Sequence, residues 1–260
     1  MIVCRSAAEI ARMRAANRLV AQVLEALEAA VTPGVTTAEL DVLAERMVRA
    51  GGAVPAFKGY RGFPATLCTS VNAVVVHGIP SSKQVLADGD IVSIDIGVKL
   101  DGFYGDSAVT VPVGVVPERT KALLKVTRES LVRGIAEVKV GGRLSDVSHA
   151  VQKWVEAHGF SVVREFVGHG IGEQLHEEPP IPNFGLPGRG PKLAAGMVLA
   201  IEPMVAMGRP EVKVLGDGWT AVTKDGSLAA HFEHTVAVGE NGPLILTART
   251  IPAGVVAAAR

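Results

Sequence analysis

Residues 86–98 read LADGDIVSIDIGV, and residues 193–205 read LAAGMVLAIEPMV. They lie 107 residues apart and share five of thirteen positions: Leu, Ala, Gly, Ile and Val. In this register Asp95 falls on Glu202, an acid on an acid. The same offset places Gly34 on Gly141, Leu40 on Val147, Arg46 on Lys153, Val48 on Val155 and Ala50 on Ala157. Two segments matching at one offset argue for a duplicated unit of helix, helix, then strands, with its seam near residues 112–118. The expectation is a single domain over 1–260, with halves of about 1–115 and 116–260.

Periodicity fills in the unit. Residues 6–30 carry Ile10, Met13, Leu19 with Val20, Val23 and Leu27 at spacings that three- and four-residue steps build, a helix with one apolar stripe. Thr36-Thr37-Ala38-Glu39 is a capping box that opens a second helix, and Gly51-Gly52 closes it. Helices at roughly 117–136 and 145–158 repeat the pattern. Between them lie Val-, Ile- and Thr-rich segments broken by Gly, Pro and Asp-Gly, which read as antiparallel strands. The class is α+β, with helices covering one face of a sheet.

Composition narrows the function. Of 260 residues, 48% are apolar, enough for a large core. Lys+Arg (26) cancel Asp+Glu (26), so no net field draws in nucleic acid or an anionic membrane, and neither is expected as a partner. Two cysteines, Cys4 and Cys68, form no disulfide framework and no CxxC. No apolar run reaches the ~18 residues that cross a bilayer, and the best stretch, Met197–Met207, is cut by Glu202 and Pro203. A reducing cytoplasm is the expected compartment.

The chemistry sits in acids on strands. A strand over 90–98 runs into Lys99-Leu100-Asp101-Gly102 and returns over 103–111. With Asp101-Gly102 as a two-residue turn, Leu100 pairs with Phe103, and Asp95 faces Ala108. Asp106 then lies diagonally from Asp95, about 7–8 Å away, so both carboxylates reach toward one ion. The face shared by Ser93, Asp95, Gly97, Asp106, Ala108 and Thr110 is polar or small, while Val92, Ile94, Ile96 and Val98 fill the other. Glu202 interrupts a second apolar strand, 197–201. Glu233 lies in a third, 228–238, sharing a face with His231, Thr235 and Ala237. His169 sits in Gly168-His169-Gly170-Ile171-Gly172, where glycines leave room for something to approach the ring.

An isolated acid in an apolar strand costs several kcal/mol unless paired or bound to metal. No run of Lys or Arg lies near these acids in sequence. Four carboxylates supply the charge that two divalent ions would cancel, and one imidazole among them suits Mn²⁺, Fe²⁺ or Co²⁺ at least as well as Zn²⁺. Paired ions sharing carboxylates hold a hydroxide nucleophile at neutral pH, which points to hydrolysis.

With these residues on the page, the chain resembles the type I methionine aminopeptidases, a family of the duplicated pita-bread metallopeptidase fold. The resemblance rests on seven motifs in order: Val76-His77-Gly78-Ile79-Pro80, Ile94-Asp95, Asp101-Gly102-Phe103 followed by Asp106, Gly168–Gly172, His176-Glu177-Glu178-Pro179, Ile201-Glu202-Pro203-Met204 and Phe232-Glu233-His234-Thr235. It implies a pseudo-twofold antiparallel sheet with helices on its outer face. It implies two divalent ions (Co, Mn, Fe or Zn) on Asp95, Asp106, His169, Glu202 and Glu233. Asp106 and Glu233 would bridge both ions, Asp95 would hold one, and His169 and Glu202 the other. Glu202 would also serve as general base, His77 and His176 would contact substrate, and His176 would lie near the scissile carbonyl. A Met side chain would enter an apolar pocket at Tyr60, Phe63, Cys68 and Trp219.

The implied activity is removal of initiator Met from nascent proteins whose second residue is small, by a metal-bridged hydroxide. The expected setting is a cytoplasmic monomer working close to the ribosome. Phe57 and Arg61 depart from the family's usual Cys and His, which bears on the rim around the second substrate residue. X-prolyl aminopeptidases share the five ligands but resemble this chain with an extra N-terminal domain. Type II enzymes carry a helical insertion for which Glu202 and Glu233 stand too close. The remaining alternative, a non-catalytic pita-bread binding protein, is discriminated by ligand loss, and all five ligands are intact here.

Overall fold

A computed structural model describes residues 1–249. The first half runs α1 (Ala7–Ala30), α2 (Thr37–Ala50), β1 (Val54–Pro55), β2 (Leu67–Val71), β3 (Val74–Val76), β4 (Ile91–Leu100) and β5 (Phe103–Pro112). The second opens with α3 (Glu118–Ala136), α4 (Leu144–Ala157), β6 (Ser161–Val162), β7 (Gly168–Gly170) and β8 (Glu177–Ile181). It continues through β9 (Val198–Ile201), β10 (Met204–Ala206), β11 (Val212–Val214) and β12 (Ala221–Thr223). It closes with β13 (Ala229–His231), β14 (His234–Gly239) and β15 (Gly242–Ile245).

The helices start where the caps place them. Ser6 and Thr36 accept from the backbone N–H of Glu9 and Glu39, whose carboxylates return to the cap. At the position matching Thr36 the second half has Arg143, and only the return bond survives, from the Arg143 N–H to the Asp146 carboxylate at 3.0 Å. One apolar core joins both halves: Leu24 and Leu27 of α1, Val147 and Val151 of α4, Ile94 and Ile96 of β4, and Leu199 of β9 all belong to it. Burying each such side chain stabilises the fold by roughly 1.5–3 kcal/mol.

Backbone pairings recur at the offset seen in sequence. The β1–β4 pairs Val54↔Lys99 and Pro55↔Val98 correspond to the β6–β10 pairs Ser161↔Ala206 and Val162↔Val205. The isolated bridge Thr36↔Val85 corresponds to Arg143↔Lys192.

Every strand pairing among the described residues is antiparallel. The β4–β5 hairpin has the expected register, Leu100↔Phe103 and Asp95↔Ala108. Asp101 (φ 49°) and Gly102 (φ 84°) form its turn, two left-handed residues that match the strands' twist.

One expectation needs correction. The strand expected over 228–238 is broken at Phe232-Glu233 into β13 and β14, and the 197–201 strand continues past Glu202-Pro203 as β10. β14 pairs with β9, whereas β13 pairs with β10 in a different sheet. The pairs His234↔Ile201 and Met204↔His231 keep one register across the gap, so Glu202 stands opposite Glu233 where both chains change sheets. Pro203 has no N–H to donate there, which favours the break. The polar face of β4 and β5 lies inside the molecule. Ser93, Asp106 and Thr110 are buried.

The edge of β5 is stitched to the 231–235 segment of the other half. Ser107 Oγ donates to the Glu233 carbonyl at 2.6 Å, Thr235 Oγ1 to the Asp106 carbonyl at 2.7 Å, and the Glu233 N–H to the Ala108 carbonyl at 2.9 Å. This seam brings Asp106 and Glu233 together.

Candidate metal centre and substrate pocket

A cavity of about 210 Å³ opens beside the seam. Its floor carries Asp95 from β4, Asp106 from β5, His169 from β7, Glu202 after β9, Glu233 before β14 and His231 at the end of β13. Its walls carry His77, His176, Tyr60, Phe63, Cys68 and Trp219, with Phe57, Arg61 and Phe166 around them. All the residues expected at the site from sequence therefore line one cavity. His231 and Phe166 line it too, and sequence reasoning gave them no role. A His alternating with Glu233 on a strand was the only signal for the first.

The floor is rich in unneutralised acid. One oxygen each of Asp95, Asp106 and Glu233 (Oδ1, Oδ1 and Oε1) is buried without a hydrogen-bond partner. Among the described residues, Arg61 at the mouth is the only Lys or Arg lining the cavity, and the ion-pair partners of the Glu202 carboxylate are the imidazoles of His169 at 3.5 Å and His231 at 3.7 Å. Burial pushes the Asp95 carboxyl up to about 7. Burial, reinforced by Glu233 and Asp95, holds Asp106 well above the ordinary range. Glu202 and Glu233 are raised in the same way, first by burial and then by neighbouring acids. Four acids buried this close together are costly to ionise without a cationic counterpart.

The donor set fits a divalent metal. Ligand atoms of Asp106, His169 and Glu233 all lie within 4.8 Å of one another. His169 Nδ1–H donates to the Gly170 carbonyl at 2.9 Å, which leaves the Nε2 lone pair facing Glu202 and the floor. That is the tautomer a metal-binding imidazole needs. Burial lowers the His169 pKa to about 4, so the ring is neutral at pH 7.

The glycines around His169 serve a different purpose from the one expected. A Cβ on Gly168 would lie 2.3 Å from the Ala200 carbonyl, and one on Gly170 2.2 Å from the Glu178 carbonyl. They admit the backbones of β9 and β8, not a ligand, and so thread β7 between its neighbours.

The walls are aromatic and imidazole. Phe63 meets Trp219 edge-on at 5.2 Å, and His77 meets Phe166 at 5.4 Å. Cys68 is buried and pairs across the strands with Asp95. The His176 ring lies 4.3 Å from that of His169 at a tilt of 52°, and its Nδ1 lies 2.8 Å from the Tyr60 hydroxyl.

The family model for metallopeptidase family M24 matches residues 11–240. A methionine aminopeptidase of Bacillus subtilis is 56% identical over 247 residues, covering 95% of this chain and 99% of the relative. The crystal structure of a methionine aminopeptidase from Thermotoga maritima is 49% identical with a TM-score of 0.94, covering 95% of this chain and 99% of that one. A prolidase from Pyrococcus furiosus shares the fold at 22% identity and a TM-score of 0.79, and the match spans 66% of that longer chain. No helix among the described residues is long and apolar enough to cross a membrane.

Proposed function

The chain belongs to metallopeptidase family M24, and from that premise we propose that the cavity is where it releases an N-terminal methionine. It is a metal-dependent aminopeptidase of the pita-bread fold that removes N-terminal methionine. The observation that carries the site assignment is one cavity with a floor of unneutralised carboxylates and a wall of aromatic side chains.

In this reading Asp106 and Glu233 would be shared between two divalent ions, Asp95 would help hold one, and His169 and Glu202 would help hold the other. The ions, when bound, supply a hydroxide nucleophile at neutral pH and polarise the scissile carbonyl. Glu202 accepts the proton of the attacking water. His176 offers an N–H to the oxygen that gains charge as the carbonyl is attacked. His77, kept neutral by burial, contacts the substrate beside it. The methionine side chain packs among Tyr60, Phe63, Cys68 and Trp219, and the acidic floor favours a free terminal amine over a blocked one.

The substrates in this reading are nascent proteins with a small second residue, met by a monomer in the cytoplasm close to the ribosome. The chain acts as one catalytic domain built from two halves, and residues 250–260 of the expected 1–260 span lie outside the described residues. The X-prolyl alternative is not favoured, because likeness to prolidases at this identity carries the fold alone. Turnover of Met-Ala-Ser, N-formyl-Met-Ala-Ser and Ala-Pro peptides by metal-reconstituted protein tests the proposal. Only the first should be cleaved efficiently, with norleucine tolerated in place of Met because a methylene-scale difference is worth ~1–3 kcal/mol. Equal cleavage of the formylated peptide would sink the exopeptidase assignment.

A further inference from the structure

His231 ends β13 inside the cavity and belongs to none of the five ligand positions. It is 2% exposed, and its main chain is held on both sides by Thr110. The His231 N–H donates to Thr110 Oγ1 at 2.8 Å, and that hydroxyl donates to the His231 carbonyl at 2.8 Å. A strand end clamped in this way gives the ring little freedom. Its Nε2 has no hydrogen-bond partner and lies 3.7 Å from Glu202 Oε2. On the other side of the same carboxylate, His169 Nε2 lies 3.5 Å from Oε1. The two oxygens of Glu202 thus face two different imidazoles.

The two rings differ in what they can offer. His169 spends its Nδ1 proton on the Gly170 carbonyl and presents a lone pair. No protein hydrogen bond is made by His231 Nδ1 among the described residues, whereas a Glu202 oxygen stands beside Nε2 as the nearby anionic acceptor. A carboxylate oxygen facing a bare nitrogen lone pair is repelled, and one facing N–H is held.

We propose that His231 is a positioning residue for the metal centre. Its Nε2–H donates to Glu202 Oε2, which turns Oε1 toward the ion shared with His169. The proposal rests on the five-ligand reading above and adds a residue to it. Oε2 keeps a second lone pair, so the hydrogen bond does not remove the oxygen from proton transfer. At 3.7 Å the two atoms stand within ion-pair reach but beyond hydrogen-bond distance, so the proposed bond requires a closing shift of under about 1 Å.

Calorimetric titration of the dialysed full-length protein with Mn²⁺ tests this in wild type, His231→Gln and His231→Asn. The Gln amide reaches the place of Nε2, whereas the Asn amide reaches only that of Nδ1. Gln is expected to retain wild-type affinity within about threefold. Asn is expected to weaken one of the two ions by roughly 10–100-fold, the usual cost of losing a partner behind a ligand, with the other ion unchanged. Asn binding both ions like wild type, or Gln and Asn weakening alike, would overturn the proposal. Wild type that fails to bind two ions would instead overturn the five-ligand reading. Nitrogen NMR of the wild-type Zn²⁺ form reads the tautomer independently of any variant, and an unprotonated His231 Nε2 would also overturn it.

Discussion

In the proposed mechanism, His176 shows how single side chains divide the chemistry. Loss of solvation against the cavity wall, with His169, Arg61 and His77 adding, pushes its pKa down to about 3, although one edge of the residue stays open at the mouth. The ring is therefore neutral at pH 7. With the Tyr60 hydroxyl on Nδ1 at 2.8 Å, the proton it can give to a developing oxyanion is the one on Nε2. Replacing His176 by Ala should keep metal content and KM near normal and lower kcat by about 10²–10³. Tyr60→Phe, which frees Nδ1, should lower kcat by roughly 2–10-fold, the scale of one neutral hydrogen bond. Metal stoichiometry, Tm and kcat measured on one preparation decide the matter, because a less stable but fully active His176→Ala would remove the residue from the mechanism. That His176 lines the cavity was legible from its place seven residues after His169 and from the motif around it. His231 was not, since a strand that alternates His, Glu, Thr and Ala reads equally well as a solvated face.

Among the elements, the segment before α1 has a role that its sequence did not announce. Arg5 is 7% exposed; its Nη2 donates to Glu177 Oε1 at 2.6 Å and Oε2 at 2.8 Å, and its N–H donates to the Gly196 carbonyl at 2.7 Å. Glu177 follows His176 directly and also accepts from the Gln174 N–H, so the chain start fixes the turn between β7 and β8. Removing one partner of a buried pair leaves the other charge uncompensated, at about 3–5 kcal/mol. Arg5→Ala should therefore lower Tm by roughly 10 °C, at 2–4 °C per kcal/mol for a chain of this size. The double change Arg5→Met with Glu177→Met should recover most of that loss. A single mutant that melts with wild type would contradict the pairing. Elements whose causes are local were readable: capping boxes placed α1 and α2, and Asp101-Gly102 set the β4–β5 register. The breaks at Glu202-Pro203 and Phe232-Glu233 were not, because the register runs unchanged through them. Only partner strands from another sheet reveal the switch, and these are tertiary contacts.

At the scale of the molecule, the proposed ligands come from both halves, Asp95 and Asp106 from one and His169, Glu202 and Glu233 from the other. Bound ions would therefore tie the halves together and raise Tm by mass action. The sign of its pH dependence follows from the raised carboxylates. In the metal-free protein Asp95 holds its proton up to about 7, and the other three acids are raised as well. A group whose folded pKa is raised contributes stability at low pH that is lost as pH climbs toward that value. His169, at about 4, is neutral at pH 6 and at pH 8 alike and leaves that trend unopposed. Metal must displace protons at pH 6 and fewer at pH 8, so the Tm gain on adding Mn²⁺ should be larger at pH 8. An equal or smaller gain there would contradict the electrostatic account.

The central claim is that this cavity is a carboxylate-bridged metal centre that hydrolyses methionyl peptides. Its most direct test is the rate of Met-Ala-Ser hydrolysis as Mn²⁺ is titrated into dialysed protein, for wild type, Asp106→Asn and Asp95→Asn. The account predicts no turnover without metal, full recovery in wild type, and a far larger loss in Asp106→Asn than in Asp95→Asn, because a bridging carboxylate holds both ions. Turnover in metal-free protein, or equal and mild losses in the two variants, would contradict it.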